Sequence, residues 1–269
     1  PGRGLQDRAQ ARQPHRKGKQ QGTTIRIRRE TTGSGEDERL EHGECTPSMR
    51  FVTTATAIER SRMSDIKLSI CIPTYNRARH LEKALGYFAD LYVLPLAYEI
   101  VISDNASTDQ TRAVVDAFTA RGLPIRYFRQ VENCGAERNF SSAFRHARGE
   151  YIIYQADDDI LVVDGLVEAI RYLDSNVDVG ACFAPWYLHN EVEGADTGLF
   201  YDVPVDIKFR KDEFDPLFGF LIEKHVFPEI GIYRSAALRS GWQPRYFAFS
   251  AFSNLAHYLA QGAVAFLRE

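Results

Sequence analysis

The 269-residue sequence contains no CxxC pair, no glycine-rich phosphate loop, no internal repeat and no apolar run long enough to span a bilayer. Its four cysteines, Cys45, Cys71, Cys134 and Cys182, are widely spaced, which excludes a disulfide scaffold or a compact thiolate metal site. They read instead as small buried hydrophobes in a reducing compartment. With no stretch near ~18–20 consecutive apolar residues, the expectation is a soluble cytoplasmic protein, at most peripheral at the inner face of the membrane. A net charge of −3 gives no reason to expect a polyanionic partner.

That net charge is unevenly distributed. Residues 1–63 hold 13 Lys and Arg against 8 Asp and Glu, so they carry about +5 and the remainder about −8. They are rich in Arg, Gln, Gly, Thr and Glu, almost lack aromatic residues and show no sustained apolar period. Such a segment buries too little apolar surface to offset the entropy of ordering it, so it is expected to be disordered, with a weak helix at most around Thr54–Arg62. The mixed charge and scarce aromatics favour a solvated tail over a nucleic-acid arm. Two rival readings stay open: a transit peptide, against which Glu36–Glu38 argue, and an over-long gene product whose real start is Met63.

From residue 64 to 269 strands and helices alternate. Lys67–Pro73, Tyr98–Ser103, Ile125–Arg129, Glu150–Gln155 and Val179–Leu188 are apolar runs of strand type. Helical spacing runs through Arg79–Leu91, Thr108–Arg121, Gly135–Arg148 and Val163–Leu173. This order predicts an α/β domain with a mostly parallel, Rossmann-like sheet flanked by helices. Beyond it, His189–Pro204 reads as a hairpin or loop, Asp212–Glu223 and Phe252–Ala260 as helices, and Phe227–Tyr233 as a strand. The ending just after the apolar VAFL suggests truncation.

Four polar segments follow strands or open helices. Asp157, Asp158 and Asp159 close a buried strand; two carboxylates ~5 Å apart repel by about 0.8 kcal/mol in water, and more at low dielectric. A divalent cation would relieve that cost, and Mg²⁺ or Mn²⁺ takes one or two carboxylates together with phosphate and water. A solvated acidic turn is the plainer alternative. In Ser103–Asp109, Asp104 stands at a strand end where it could accept from a base or ribose, while Ser107, Thr108 and Asp109 suit helix capping. Pro73-Thr74-Tyr75-Asn76-Arg77 offers backbone groups and an aromatic face, and Asn133–Asn139 forms a tight turn into a helix whose start could favour phosphate.

In sequence, PTYNR, SDNASTD, NxGxxRN and ADDD resemble glycosyltransferase family 2 over about Lys67–Leu173. The resemblance implies a GT-A fold, a nucleoside-diphosphate sugar donor, Mn²⁺ or Mg²⁺, and inversion at the anomeric carbon. It places Pro73, Thr74, Tyr75 and Arg77 at the nucleotide, Asp104 at the base, and Asn105 where the family often has a second Asp. Arg138 and Asn139 fall in the stretch before the metal motif. Asp157 and Asp159 match the metal pair, and Asp158 meets ribose or metal. The implied enzyme is a metal-dependent hexosyl- or deoxyhexosyltransferase acting on a sugar or lipid-linked acceptor in surface polysaccharide synthesis.

Departures from the family pattern concern the base that deprotonates the acceptor. Phe249–Asn254 stands where the family usually has Glu-Asp and holds no carboxylate, leaving Glu223, Glu229, Asp215 and His257 as weak candidates. A non-catalytic or truncated nucleotide-sugar-binding module therefore remains an alternative. A metal-dependent nucleotidyltransferase is another, although PTYNRARH lacks that class's glycine-rich run. The QxxRW motif of processive synthases is absent.

Overall fold

A computed structural model describes residues 66–190, 195–228, 230–239 and 250–268. The predicted tail, the helix at Thr54–Arg62 and Glu229 lie outside the described residues. Among the described residues, eight strands form one sheet in the order β3-β2-β1-β4-β9-β5-β10-β8. In chain order these are β1 (Leu68–Thr74), β2 (Tyr98–Asp104), β3 (Ile125–Arg129), β4 (Tyr151–Tyr154), β5 (Val179–Phe183), β8 (Ile207–Phe209), β9 (Gly231–Arg234) and β10 (Ala263–Phe266). Strands β1 to β5 and β10 run one way, and β8 and β9 run against their neighbours. The expected hairpin is β6 (Tyr187–Asn190) with β7 (Ala195–Leu199).

The sheet is mostly parallel, as expected, but its middle differs from a simple alternating run. Antiparallel β9 inserts between β4 and β5. The expected Val179–Leu188 strand also breaks after Phe183, and Pro185, which has no N–H to give a ladder, stands in the break. The last strand, β10, is the apolar run that had looked like an abrupt ending, and it pairs with both β5 and β8.

Helices cover both faces. α1 (Ala78–Asp90), α2 (Thr111–Ala120) and α4 (Val163–Ser175) bury residues in one core. α3 (Ala136–His146), α5 (Phe214–Glu223), α6 (Ser235–Arg239) and α7 (Ser250–Gln261) contribute to the other. α1 shows the logic: Leu81, Ala84, Leu85 and Phe88 recur at helical spacing and are at most 3% exposed. Burying Leu81, Leu85 or Phe88 contributes about 1.5–3 kcal/mol each.

Opposite the polar loops, the strands are tied by a buried network. Ser69 Oγ donates to Glu99 (2.6 Å) and accepts the N–H groups of Arg148 (3.1 Å) and Gly149 (2.8 Å). Arg126 reaches Glu99 from β3 (3.1 Å), so a 2%-exposed carboxylate is paired as burial requires. Gly149 itself sits against backbone: an added Cβ would lie 2.6 Å from Ser69 N, 2.8 Å from Leu68 C and 2.8 Å from Tyr151 O. Because rigid backbone cannot yield, Gly149→Ala is expected to lower stability by about 1–3 kcal/mol in denaturant unfolding. An unchanged midpoint would show that β1 and β4 can part at this point.

Candidate functional site

Because β1 continues into β2 on one side and β4 lies on the other, a crevice opens at the carboxyl ends of β1 and β4. Crevices at such switch points are where open α/β sheets bind ligands. Three of the expected loops meet there: Tyr75–Arg77 after β1, Asn105–Asp109 after β2, and Gln155–Asp159 after β4.

Asp157 is the hub. It is 5% exposed, and its Oδ2 accepts from Thr74 Oγ1 (2.7 Å) while its Oδ1 accepts from Arg77 Nε (2.7 Å). A second nitrogen of Arg77 reaches Asp158 Oδ2 at 2.6 Å, so one planar guanidinium spans two carboxylates. Burial pushes the Asp157 carboxyl above its usual range; Thr74 and Arg77 pull it back, and the neighbouring Asp158 adds to the rise. Asp158 and Asp159 are exposed. Gln155 Nε2 holds the Asp159 carbonyl (3.0 Å), which fixes the turn.

Asp104, read from sequence as one residue past its strand, is the last residue of β2 and is 1% exposed. Both its oxygens are engaged, Oδ1 by the N–H of Ser107 (2.8 Å) and Oδ2 by the Tyr127 hydroxyl. Burial, and then that bond, raise the Tyr127 phenol. Asn105, 3% exposed, donates to Asn133 Oδ1 (2.8 Å) and accepts from Cys134 N (2.8 Å), latching the β2 loop to the turn before α3. That turn passes through Gly135 at φ 85°, a left-handed conformation that favours glycine.

Asn139 also faces inward. Its amide donates to the carbonyls of Ser103 (2.9 Å) and Thr74 (3.3 Å) and accepts from Ser103 Oγ (2.8 Å), tying α3 to two strand ends. Tyr75, 42% exposed, and Arg138, also exposed, are with Asp158 the expected donor-site residues that present side chains outward. Pro73 is half-buried in β1.

Two capping features were only half visible. Asp109 Oδ1 accepts the N–H of Thr111 (3.0 Å) at the start of its own helix, α2. Its Oδ2 accepts the N–H of Ala78 (3.0 Å), capping α1 from another loop. Despite a burial contribution in the opposite sense, these bonds and that of the Thr111 hydroxyl hold the Asp109 carboxyl below its usual range. Asn76, at φ 52°, donates its N–H to Ser107 Oγ (2.9 Å) and accepts from Thr108 N (2.8 Å), sewing the first two loops together.

Among the described residues no group of three His, Cys, Asp or Glu side chains is placed to hold a metal ion. The donor set nevertheless fits Mg²⁺ or Mn²⁺ bridged to a phosphate ligand, which needs one or two carboxylates from the protein. The weak base candidates are scattered. Asp215 stands in the first turn of α5 and Glu223 is its last residue, so the helix holds them about 12 Å apart along its axis. Glu223 is exposed and paired with Lys224 (3.3 Å). His257 lies about 10 Å along α7 from its first residue.

Removing Asn139 would leave the Ser103 and Thr74 carbonyls without their amide donor. Asn139→Ala is expected to cost about 1–3 kcal/mol in chemical unfolding and to weaken any ligand of the crevice. Unchanged stability would show that water replaces the amide.

The sequence profile described as Glycosyl transferase family 2 matches residues 69–232, more than half of the chain. The abequosyltransferase RfbV of Salmonella typhimurium is 40% identical over 116 residues, covering 43% of this chain and 35% of that protein. The poly(ribitol-phosphate) beta-N-acetylglucosaminyltransferase TarS of Staphylococcus aureus is 26% identical over 112 residues, covering 41% and 19%. The matches thus span about a third or less of these relatives' length. In fold, the chain is similar to the TarS fragment crystallised with UDP, with a TM-score of 0.60 at 19% identity over 76% of this chain and 58% of that one. It is also similar to the mannosyltransferase PcManGT of Pyrobaculum calidifontis solved with GDP-Man and Mn²⁺, with a TM-score of 0.51 at 19% identity over 74% and 53%. The GT-A architecture, the crevice between β1 and β4 and the profile match agree: the chain belongs to glycosyl transferase family 2.

Proposed function

We propose that this chain transfers a sugar from a nucleoside-diphosphate donor to an acceptor hydroxyl, with inversion at the anomeric carbon, in the synthesis of surface polysaccharide or another glycoconjugate. The observation that carries the reading is the meeting of the β1 loop with Asp157, Asp158 and Asp159 at the switch-point crevice. Relatives crystallised with UDP, UDP-GlcNAc or GDP-Man support a nucleotide-sugar ligand.

In this reading the exposed Tyr75 ring offers a face to the nucleotide base. The exposed Arg138 offers a planar fork to the diphosphate. Asp104 and Asn105 act from beneath, since their polar atoms are engaged in holding the loop that carries the base end of the site. Mn²⁺ or Mg²⁺, held by Asp159 with Asp157 as the second expected carboxylate, would neutralise charge on the departing nucleoside diphosphate. A direct displacement further requires a proton acceptor on the attacking hydroxyl. Glu223, the last residue of α5, is one carboxylate proposed for that role.

A sugar or lipid-linked acceptor on the cytoplasmic side is proposed, with the chain peripheral to the membrane. No described helix is long and apolar enough to cross one. One observation favours a second reading, a donor-binding module without turnover: the first turn of α7 contains no carboxylate.

Calorimetric titration with UDP-, GDP- and dTDP-sugars, with and without Mn²⁺, tests the proposal. One nucleotide class is expected to bind in a metal-dependent manner, and Asp159→Ala to weaken it about tenfold or more while leaving the circular dichroism unchanged. A folded sample that binds none of them would refute the donor site. Binding without sugar transfer or donor hydrolysis would favour the module.

A further inference from the structure

The hairpin of β6 and β7 springs from the same sheet edge as the acidic loop. Ile153 of β4 and Cys182 of β5 both pair with Ile232 of β9, so β4 and β5 end level, two strand spacings or about 10 Å apart. The Gln155–Asp159 loop and the chain into β6 therefore leave the sheet side by side. The base of the hairpin is fixed there: Phe200 donates its N–H to the Trp186 carbonyl (2.8 Å), and the two rings stack 4.2 Å apart at 13°. His189 follows about 10 Å beyond Trp186 along the strand.

A break in register sets the partner of that histidine. Tyr187 pairs with Leu199 and Leu188 with Gly198, so regular pairing would put Thr197 opposite His189. An extra residue at this point makes a β-bulge, with Gly198 at φ 142°, and brings Asp196 opposite His189 instead. His189 Nδ1 and Asp196 Oδ1 lie 2.8 Å apart. An ionised carboxylate only accepts, so Nδ1 donates, and in the neutral ring Nε2 keeps its lone pair. An exposed pair of this kind contributes little stability, whereas bulges beside active sites re-aim side chains.

We propose that His189, held by Asp196, takes the proton of the attacking acceptor hydroxyl. The inference rests on the donor-site reading, in which the nucleotide lies over the β1 and β2 loops and the sugar crosses the β4 loop toward β5. It gives the role of base to an imidazole in place of Glu223. As the hydroxyl oxygen bonds the anomeric carbon, its proton passes to Nε2. The bond from that carbon to the diphosphate oxygen breaks, and its electron pair leaves with the nucleoside diphosphate. The imidazolium so formed faces Asp196, whose charge stabilises it. Asp196 is a positioning residue that acts through the ring.

The donor that binds among UDP-, GDP- and dTDP-sugars is incubated with the full chain, Mn²⁺ and a panel of octyl glycosides. Release of nucleoside diphosphate is followed with the glycosides and with water alone as acceptor. His189→Ala and His189→Gln are expected to lower kcat about 10²-fold or more, with calorimetric donor affinity and circular dichroism unchanged. Imidazole added to His189→Ala should restore part of the rate, a response that a merely structural loss would not give. Asp196→Asn, whose amide can turn an N–H toward Nδ1 and force the proton onto Nε2, should lower kcat about tenfold or more with KM unchanged. Folded His189 variants that release nucleotide at the unaltered rate would overturn the inference, as would a loss that tracks lost donor binding and resists imidazole. Donor binding without nucleotide release by the unaltered chain would overturn it too. An unaltered chain that binds no donor refutes the donor-site reading, and this inference with it, whereas full activity in His189→Ala overturns this inference alone.

Discussion

A carboxylate taken almost wholly out of water must be hydrogen-bonded and paired, and that requirement at Asp157 organises the crevice. Its partners come from one segment, Thr74 at the end of β1 and Arg77 just beyond it, so satisfying the charge also fixes the distance between the β1 and β4 loops. A carboxyl whose value is raised by folding contributes stability below the ordinary carboxylate range and loses it as pH rises through the folded value. Asp157 therefore weighs on the fold most when ionised, and Thr74 and Arg77 offset part of that penalty.

Around that hub the loops are joined mainly by neutral groups. Asn76, Asn105, Asn133 and Asn139 each connect segments distant in sequence; Asn105 and Asn139 both donate and accept through one planar amide, while Asn76 and Asn133 accept through their amide oxygens. Amides suit this task because they bind backbone groups of either polarity without adding charge beside three aspartates. Asp109 does the equivalent at helix starts, where exposed N–H groups favour a negative partner.

Much of this architecture was legible in the chain. The apolar runs of β1 to β5 and the helical spacing of α1 to α4 stand out because burial on one face leaves a periodic mark. The polar loops stand out because they follow those runs directly. What periodicity could not carry was pairing order: nothing in Gly231–Arg234 tells that this strand slips antiparallel between β4 and β5. Partner assignment was equally hidden. Asp104 and Asn139 looked like outward ligand contacts, yet their polar atoms are consumed by Ser107, Tyr127, Ser103 and Thr74, contacts that exist only once distant segments meet. Arg77 and Asp157, eighty residues apart, were each noticed but not as partners.

The late insertion of β9 has a consequence for biosynthesis. Tyr151–Ile153 pair with Ile232–Arg234, so one edge of β4 waits for residues made roughly eighty positions later. At ribosomal speeds of about 5–20 residues per second, that edge stands open for roughly 4–16 seconds on the nascent chain. Its main-chain groups flank apolar Ile152 and Ile153, a combination that invites pairing with another chain. The first four strands are therefore a half-finished sheet during translation, closed on this side only when the late strand arrives.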